Sequence, residues 1–101
     1  SEQITQHHEY TVYLCGKVDG VLQDTGEVIE VKERRRRLFG CVVDYEKVQL
    51  HCYMFLTKTK RALLRERYDT ETAEYWVDFD DSFWEECIAN LHDYLSRTLP
   101  E

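Results

Sequence analysis

The chain has 101 residues, 43% hydrophobic and 33% charged, with a formal net charge of −7. That balance excludes a disordered chain and fits one domain with one modest core. It also excludes global electrostatic steering toward nucleic acid, so any such contact must come from a local basic spot.

Residues 1–8, SEQITQHH, are polar and are expected to fray. EYTVYLC, residues 9–15, alternates and is rich in β-branched and aromatic residues, which predicts a strand. The chain continues through KVDGVL, QDTG and EVIEVK. QDTG, residues 23–26, is turn chemistry with Gly26 suited to a left-handed position, so an antiparallel hairpin is expected. From Asp44 the period changes: Tyr45, Val48, Cys52, Phe55 and Leu56 recur at helical spacing, predicting a helix over 43–57 with this stripe inward. KRALLRERY and AEYWVDF read as a second hairpin across DTETA, although the first of these also suits a prolonged helix. SFWEECIANLHDYLSRTL reads as a closing helix. Ser82 and Glu85 would form its capping box, and Phe83, Trp84, Cys87, Ile88, Leu91, Tyr94 and Leu95 its apolar face. The expected architecture is a single α+β domain over 1–101, with one central mixed or antiparallel sheet and flanking helices.

The four cysteines, Cys15, Cys41, Cys52 and Cys87, match no zinc or redox spacing and read as reduced core thiols, though their separations leave disulfides open. No apolar run approaches the roughly 20 residues that cross a membrane. An intracellular protein is expected.

The first hairpin places charges inside strands. With a four-residue loop, Gln23–Gly26, the register sets Val21 opposite Val28, Gly20 opposite Ile29 and Asp19 opposite Glu30. Opposed carboxylates destabilise a sheet unless a hard cation joins them. A three-residue loop with a bulge would put Asp19 on the other face, so both registers stay open. Lys32 leans over the same face as Glu30. Gln49 falls within the helical stripe, where a buried amide needs partners, and Tyr53 follows one turn later.

In order, Asp19, then Glu30-Val31-Lys32, then Gln49-x-x-x-Tyr53 resemble the PD-(D/E)XK nuclease superfamily. QLHCY is similar to the Q-x-x-x-Y motif of its RecB-like and lambda-exonuclease-like branch, and the match covers residues 14–57. The resemblance implies a minimal restriction-endonuclease-like core and a Mg²⁺-dependent DNA nuclease, with Mn²⁺ as a substitute, of the phage or viral replication, recombination and repair type. It implies Asp19, Glu30 and the Val31 carbonyl as metal ligands. Lys32 would position the attacking water, Gln49 would hold the polar network, and Tyr53 would touch the DNA backbone. Arg34 and Arg36, in the run that follows the strand, are expected to contact DNA phosphates. The family carries a helix before its first strand, and the residues before Glu9 are too few and too polar for it. A fragment, a homo-oligomer or a chain completed by a partner subunit is therefore expected. Two other readings stand beside the nuclease: a nuclease-like fold serving only as a binding module, and a structural domain with an accidental Glu-x-Lys.

Overall fold

The computed structural model describes residues 2–7, 10–14 and 20–98, the first two segments as backbone. Strand β1, Glu2–His7, pairs antiparallel with β2, Tyr10–Leu14, in a two-stranded sheet with an irregularity between Gln3 and Thr5. This corrects the expectation of a frayed start. Polar side chains do not prevent a strand when a neighbouring strand satisfies its backbone groups.

The second sheet has four strands in the order β3-β4-β5-β6: Gly20–Val21, Val28–Glu33, Arg61–Tyr68 and Glu71–Asp78. The expected central sheet is therefore present and mixed, with β1 and β2 standing apart from it among the described residues. β3 and β4 form the predicted hairpin, with Gly20 opposite Ile29 and Val21 opposite Val28. That is the register of the four-residue loop. The Leu22 N–H donates to the Glu27 carbonyl at 2.9 Å, and Gly26 turns the chain at φ +74°, where a Cβ would be strained.

Helix α1, Asp44–Thr57, crosses over to bring β5 parallel to β4 along all of Val28–Glu33. Asp44 and Glu46 lie in its first turn, where negative charge suits the helix dipole. Lys58 ends it in the left-handed region at φ 58° and donates its N–H to the Met54 carbonyl. β5 and β6 pair antiparallel from Arg61 opposite Asp78 to Tyr68 opposite Glu71, so KRALLRERY is a strand. Period-2 alternation accounts for most of its burial: Ala62, Leu64 and Glu66 point to the α1 side, while on the other face Arg61, Arg65 and Arg67 are exposed and Leu63 is buried.

The core is Val28, Leu50, Met54, Ala62 and Leu64, with Val42, Tyr53, Tyr75, Val77 and Phe79 packed against it. It lies between the sheet and α1. The inward line of α1 is Glu46, Leu50 and Met54, with His51, whereas Tyr45 and Val48 face solvent. The expected apolar stripe is thus displaced by one residue, about 100° around the axis. The reason is electrostatic. Glu46 is drawn in by a buried arginine, a partner that hydropathy does not register.

Helix α2, Asp81–Thr98, docks by aromatic contacts: the His51 ring lies 4.7 Å from Phe83 and 5.2 Å from Phe79, and Phe55 lies 5.0 Å from Trp84. Its cap is Asp80 and not Ser82, since the Asp80 carboxylate accepts the Phe83 N–H at 3.1 Å. Tyr94, expected on the inner face, is exposed. Cys41 is exposed, Cys52 and Cys87 are half-buried, and all three are free thiols. Core cysteine is thus the wrong description of Cys41, and Cys15 lies outside the described residues.

Candidate functional site

Glu30 and Lys32 sit two residues apart on β4, on the face that α1 covers. Glu30 is only 5% exposed. An acid is almost never so buried without charged or hydrogen-bonding company. Its Oε1 lies 3.4 Å from Lys32 Nζ. Lys32 Nζ in turn donates to Gln49 Oε1 at 2.8 Å, joining positions 17 residues apart. Gln49 Nε2 donates to the Tyr53 hydroxyl at 3.0 Å, one turn along α1. The four residues form a continuous chain: carboxylate, ammonium, amide, phenol. Helical spacing puts Gln49 and Tyr53 on one side of α1, and the parallel β4-α1-β5 unit presses that side against β4.

Each expected site residue can now be placed. Glu30, Lys32, Gln49 and Tyr53 converge. Asp19 lies outside the described residues. Val31 lies between the two on β4 and is half-buried. Among the described residues no three Asp, Glu, His or Cys side chains gather as a metal cluster. The Glu30 carboxylate is a hard-oxygen donor of the kind Mg²⁺ and Mn²⁺ accept.

Arg34 is turned inward, away from the position of a phosphate contact. Its side chain is 6% exposed and bridges two fully buried acids. Nη1 and Nη2 grip both oxygens of Glu46 at 2.7 and 3.1 Å, while Nε and Nη2 reach Glu66 Oε2 at 3.1 and 3.0 Å. The guanidinium also lies 3.6 Å from the centroid of the Phe39 ring. Its hydrogen bonds to Glu46 chiefly raise its pKa. Glu66 further accepts the Phe39 and Gly40 N–H groups at 3.2 and 3.0 Å. Burial pushes the Glu66 carboxyl up, but the Gly40 N–H, Arg34 and the Phe39 N–H together outweigh it and leave the group below its ordinary value.

The loop from Arg34 to Val43 is therefore anchored from beneath, and its remaining arginines face outward. A cleft of about 640 Å³ opens there, lined by Lys32, Arg35, Arg36, Arg37, Phe39 and Tyr45 among others. Arg36 is exposed on it. Sequence reading passed over Phe39 and Tyr45 as parts of this cleft. The available signal was an aromatic residue directly after a basic run. A smaller hollow of about 350 Å³, lined by Phe55, Lys60, Phe79 and Trp84 among others, shares no residue with the Glu30–Lys32 site.

His51 performs no comparable chemistry, because both ring nitrogens are engaged. Nδ1 lies 2.8 Å from the Lys47 carbonyl, and Nε2 accepts the Asp80 N–H at 3.0 Å. Among the described residues no helix is long and apolar enough to cross a membrane.

No protein-family model matches the chain, and no curated protein matches it. Among solved structures it is similar to the crystal structure of SSO0001, with a TM-score of 0.67 and 21% identity over 94% of this chain and 50% of that one. The chain thus spans about half the length of that protein, and at this identity the likeness bears on the fold alone: an α+β domain built on a four-stranded mixed sheet.

Proposed function

We propose that the chain is a divalent-metal-dependent DNA nuclease of the PD-(D/E)XK type, acting inside cells in replication, recombination or repair of phage or viral DNA. The observation that carries this reading is the meeting of Lys32 with both Glu30 and Gln49. An accidental Glu-x-Lys on a solvated strand would have no reason to bury its acid or to reach a helix 17 residues away.

Glu30, the Val31 carbonyl and Asp19 are the residues that would hold Mg²⁺ or Mn²⁺. When bound, such a cation lowers the pKa of its water and offsets charge on the phosphate. The chain's own groups have distinct tasks. Lys32 has three N–H donors. Gln49 and Glu30 engage two, and the third serves the attacking water or a phosphate oxygen. Gln49 and Tyr53 fix the ammonium by a relay of hydrogen bonds, so its position costs nothing to organise during reaction. Arg35, Arg36 and Arg37 supply exposed charge along the cleft for DNA phosphates, the role expected of Arg34 and Arg36. Tyr53 accepts from Gln49 and keeps its own O–H to donate to the DNA backbone.

The test is degradation of linear DNA in Mg²⁺ or Mn²⁺ beside Lys32→Ala and Glu30→Ala. The parent should cleave, and Lys32→Ala should lose on the order of 10²-fold or more in rate, the scale of a lost transition-state donor. Mn²⁺ should raise the melting midpoint of the parent but not of Glu30→Ala, because a ligand held only by the folded state stabilises it. Absence of cleavage, or equal cleavage by the variants, overturns the reading. A midpoint indifferent to Mn²⁺ with DNA binding intact would favour a binding module.

A further inference from the structure

We propose that Phe39 and Tyr45 form a stacking subsite for an unpaired nucleobase, so that the basic cleft beside Lys32 receives single-stranded nucleic acid. The inference rests on reading that cleft as a nucleic-acid surface, and it adds the state of the strand that enters.

The cleft combines two recognition chemistries. Arg35, Arg36 and Arg37 are exposed and carry charge suited to phosphates. Two large rings in solvent line the same cleft, Phe39 at 37% and Tyr45 at 65% exposure. Single exposed aromatics are ordinary. Two lining one arginine-rich cleft are a different matter, because rings contribute nothing to holding a closed duplex by its backbone, where base faces are already stacked. A single strand offers a π-face at every base, and aromatic platforms beside cationic grooves are how proteins hold it.

Phe39 is held before any ligand arrives, and Tyr45 stands on a backbone fixed by its helix. Phe39 has the Arg34 guanidinium 3.6 Å from its centroid and its backbone N–H on Glu66 at 3.2 Å. Gly40, at φ +78°, turns the chain immediately after it. Tyr45 sits in the first turn of α1. At Phe39, little ordering entropy is therefore left to lose on binding. An acidic peptide would satisfy the arginines but would leave both rings without a flat partner.

The experiment uses the 101-residue chain in EDTA, so that no cleavage intervenes. Fluorescence anisotropy compares a single-stranded oligonucleotide, the same strand with a run of abasic sites, and a blunt duplex. A 2-aminopurine strand reports stacking by quenching. The expected result is at least tenfold tighter binding of the intact strand than of either competitor, and at least tenfold loss in Tyr45→Ala and Phe39→Leu, the scale of one lost base–aromatic stack. Arg36→Ala should weaken intact and abasic strands alike. Equal affinity for intact and abasic strands, unaltered binding by both ring variants, or equal competition by poly-glutamate overturns the proposal. If a ring variant melts lower than the parent, quenching of 2-aminopurine by the parent decides: quenching supports stacking and its absence refutes it. Failure of the nuclease reading is seen separately. Base-dependent binding without metal-dependent cleavage leaves this inference standing, whereas cleavage without base dependence removes it alone.

Discussion

Replacing Arg34 with alanine should be among the most damaging substitutions in this chain, whereas replacing its exposed neighbours Arg35, Arg36 or Arg37 should cost little. The side chain is 6% exposed and faces Glu46 and Glu66, both fully buried. Removing the shared cation leaves two carboxylates in the interior without their counter-charge, and the Phe39 and Gly40 N–H groups offset only part of the desolvation of Glu66. Breaking a buried pair in this way costs about 3–5 kcal/mol. A domain of this size is held by roughly 5–15 kcal/mol, so a large share of the total is lost. At about 4–8 °C per kcal/mol, the midpoint should fall by roughly 12 °C or more. Arg34→Lys should also cost about 1–3 kcal/mol, because an ammonium cannot grip Glu46 with two nitrogens. Urea unfolding followed by the fluorescence of Trp76 and Trp84 measures this directly. Molar salt should not rescue the variant, since buried pairs are little screened. In a Glu46→Gln/Glu66→Gln background the cost of losing Arg34 should shrink sharply. A loss below about 1 kcal/mol for Arg34→Ala at unchanged m-value would refute the reasoning, because that is the worth of an exposed pair. The same cluster sets an acid limit. The Glu66 carboxyl lies below its ordinary value of 4.5 in the folded chain, so its stabilisation is complete above that value and is lost as pH falls through the depressed one.

Two more outcomes follow from the packing of α2. Burial, the largest cause, holds the His51 pKa below its ordinary 6.5, so the unfolded chain binds the extra proton first. Stability should therefore fall as pH drops below about 6.5, by up to ~1.4 kcal/mol per unit, and level off at the folded value. Melting curves between pH 8 and 5 that stay flat, or that fall equally in His51→Gln, would oppose this. Asp80→Ala should cost about 1 kcal/mol of stability through the lost cap. Ser82→Ala should cost less, and the reverse order in chemical denaturation would return the cap to Ser82.

Much of the fold was legible because local signals agreed with one another. The turn residues of QDTG, with Gly26 at positive φ, marked the first hairpin, whereas its register stayed open between two loop lengths until the pairing of Gly20 with Ile29 and Val21 with Val28 decided it. The change of period at Asp44 marked α1, and the polar DTETA marked the second hairpin, of which only Asp69 and Thr70 form the turn. What hydropathy could not convey was the orientation of α1. Glu46 counts as a surface residue until Arg34, 12 positions earlier, is known to be buried beside it. The same blindness made Arg34 look like its exposed neighbours, since four consecutive arginines carry no mark of which one faces in. The Lys32–Gln49 contact was foreseen as a convergence of motifs, but its distance depended on a parallel crossover that no local pattern encodes. Strand β1 was missed because its pairing with β2, and not its composition, makes it a strand.

In the parallel ladder, Lys32 of β4 stands directly beside Glu66 of β5. Glu66 is also the carboxylate that clamps the backbone of Phe39 and Gly40. The arginine-bearing loop, which leaves β4 one residue after Lys32, is therefore also held across the interval between two neighbouring strands, roughly 4.8 Å, before its connection runs on to α1. Lengthening or shortening that connection on its outer side would change what the cleft presents without moving the lysine. A change in how β4 and β5 align would shift both together.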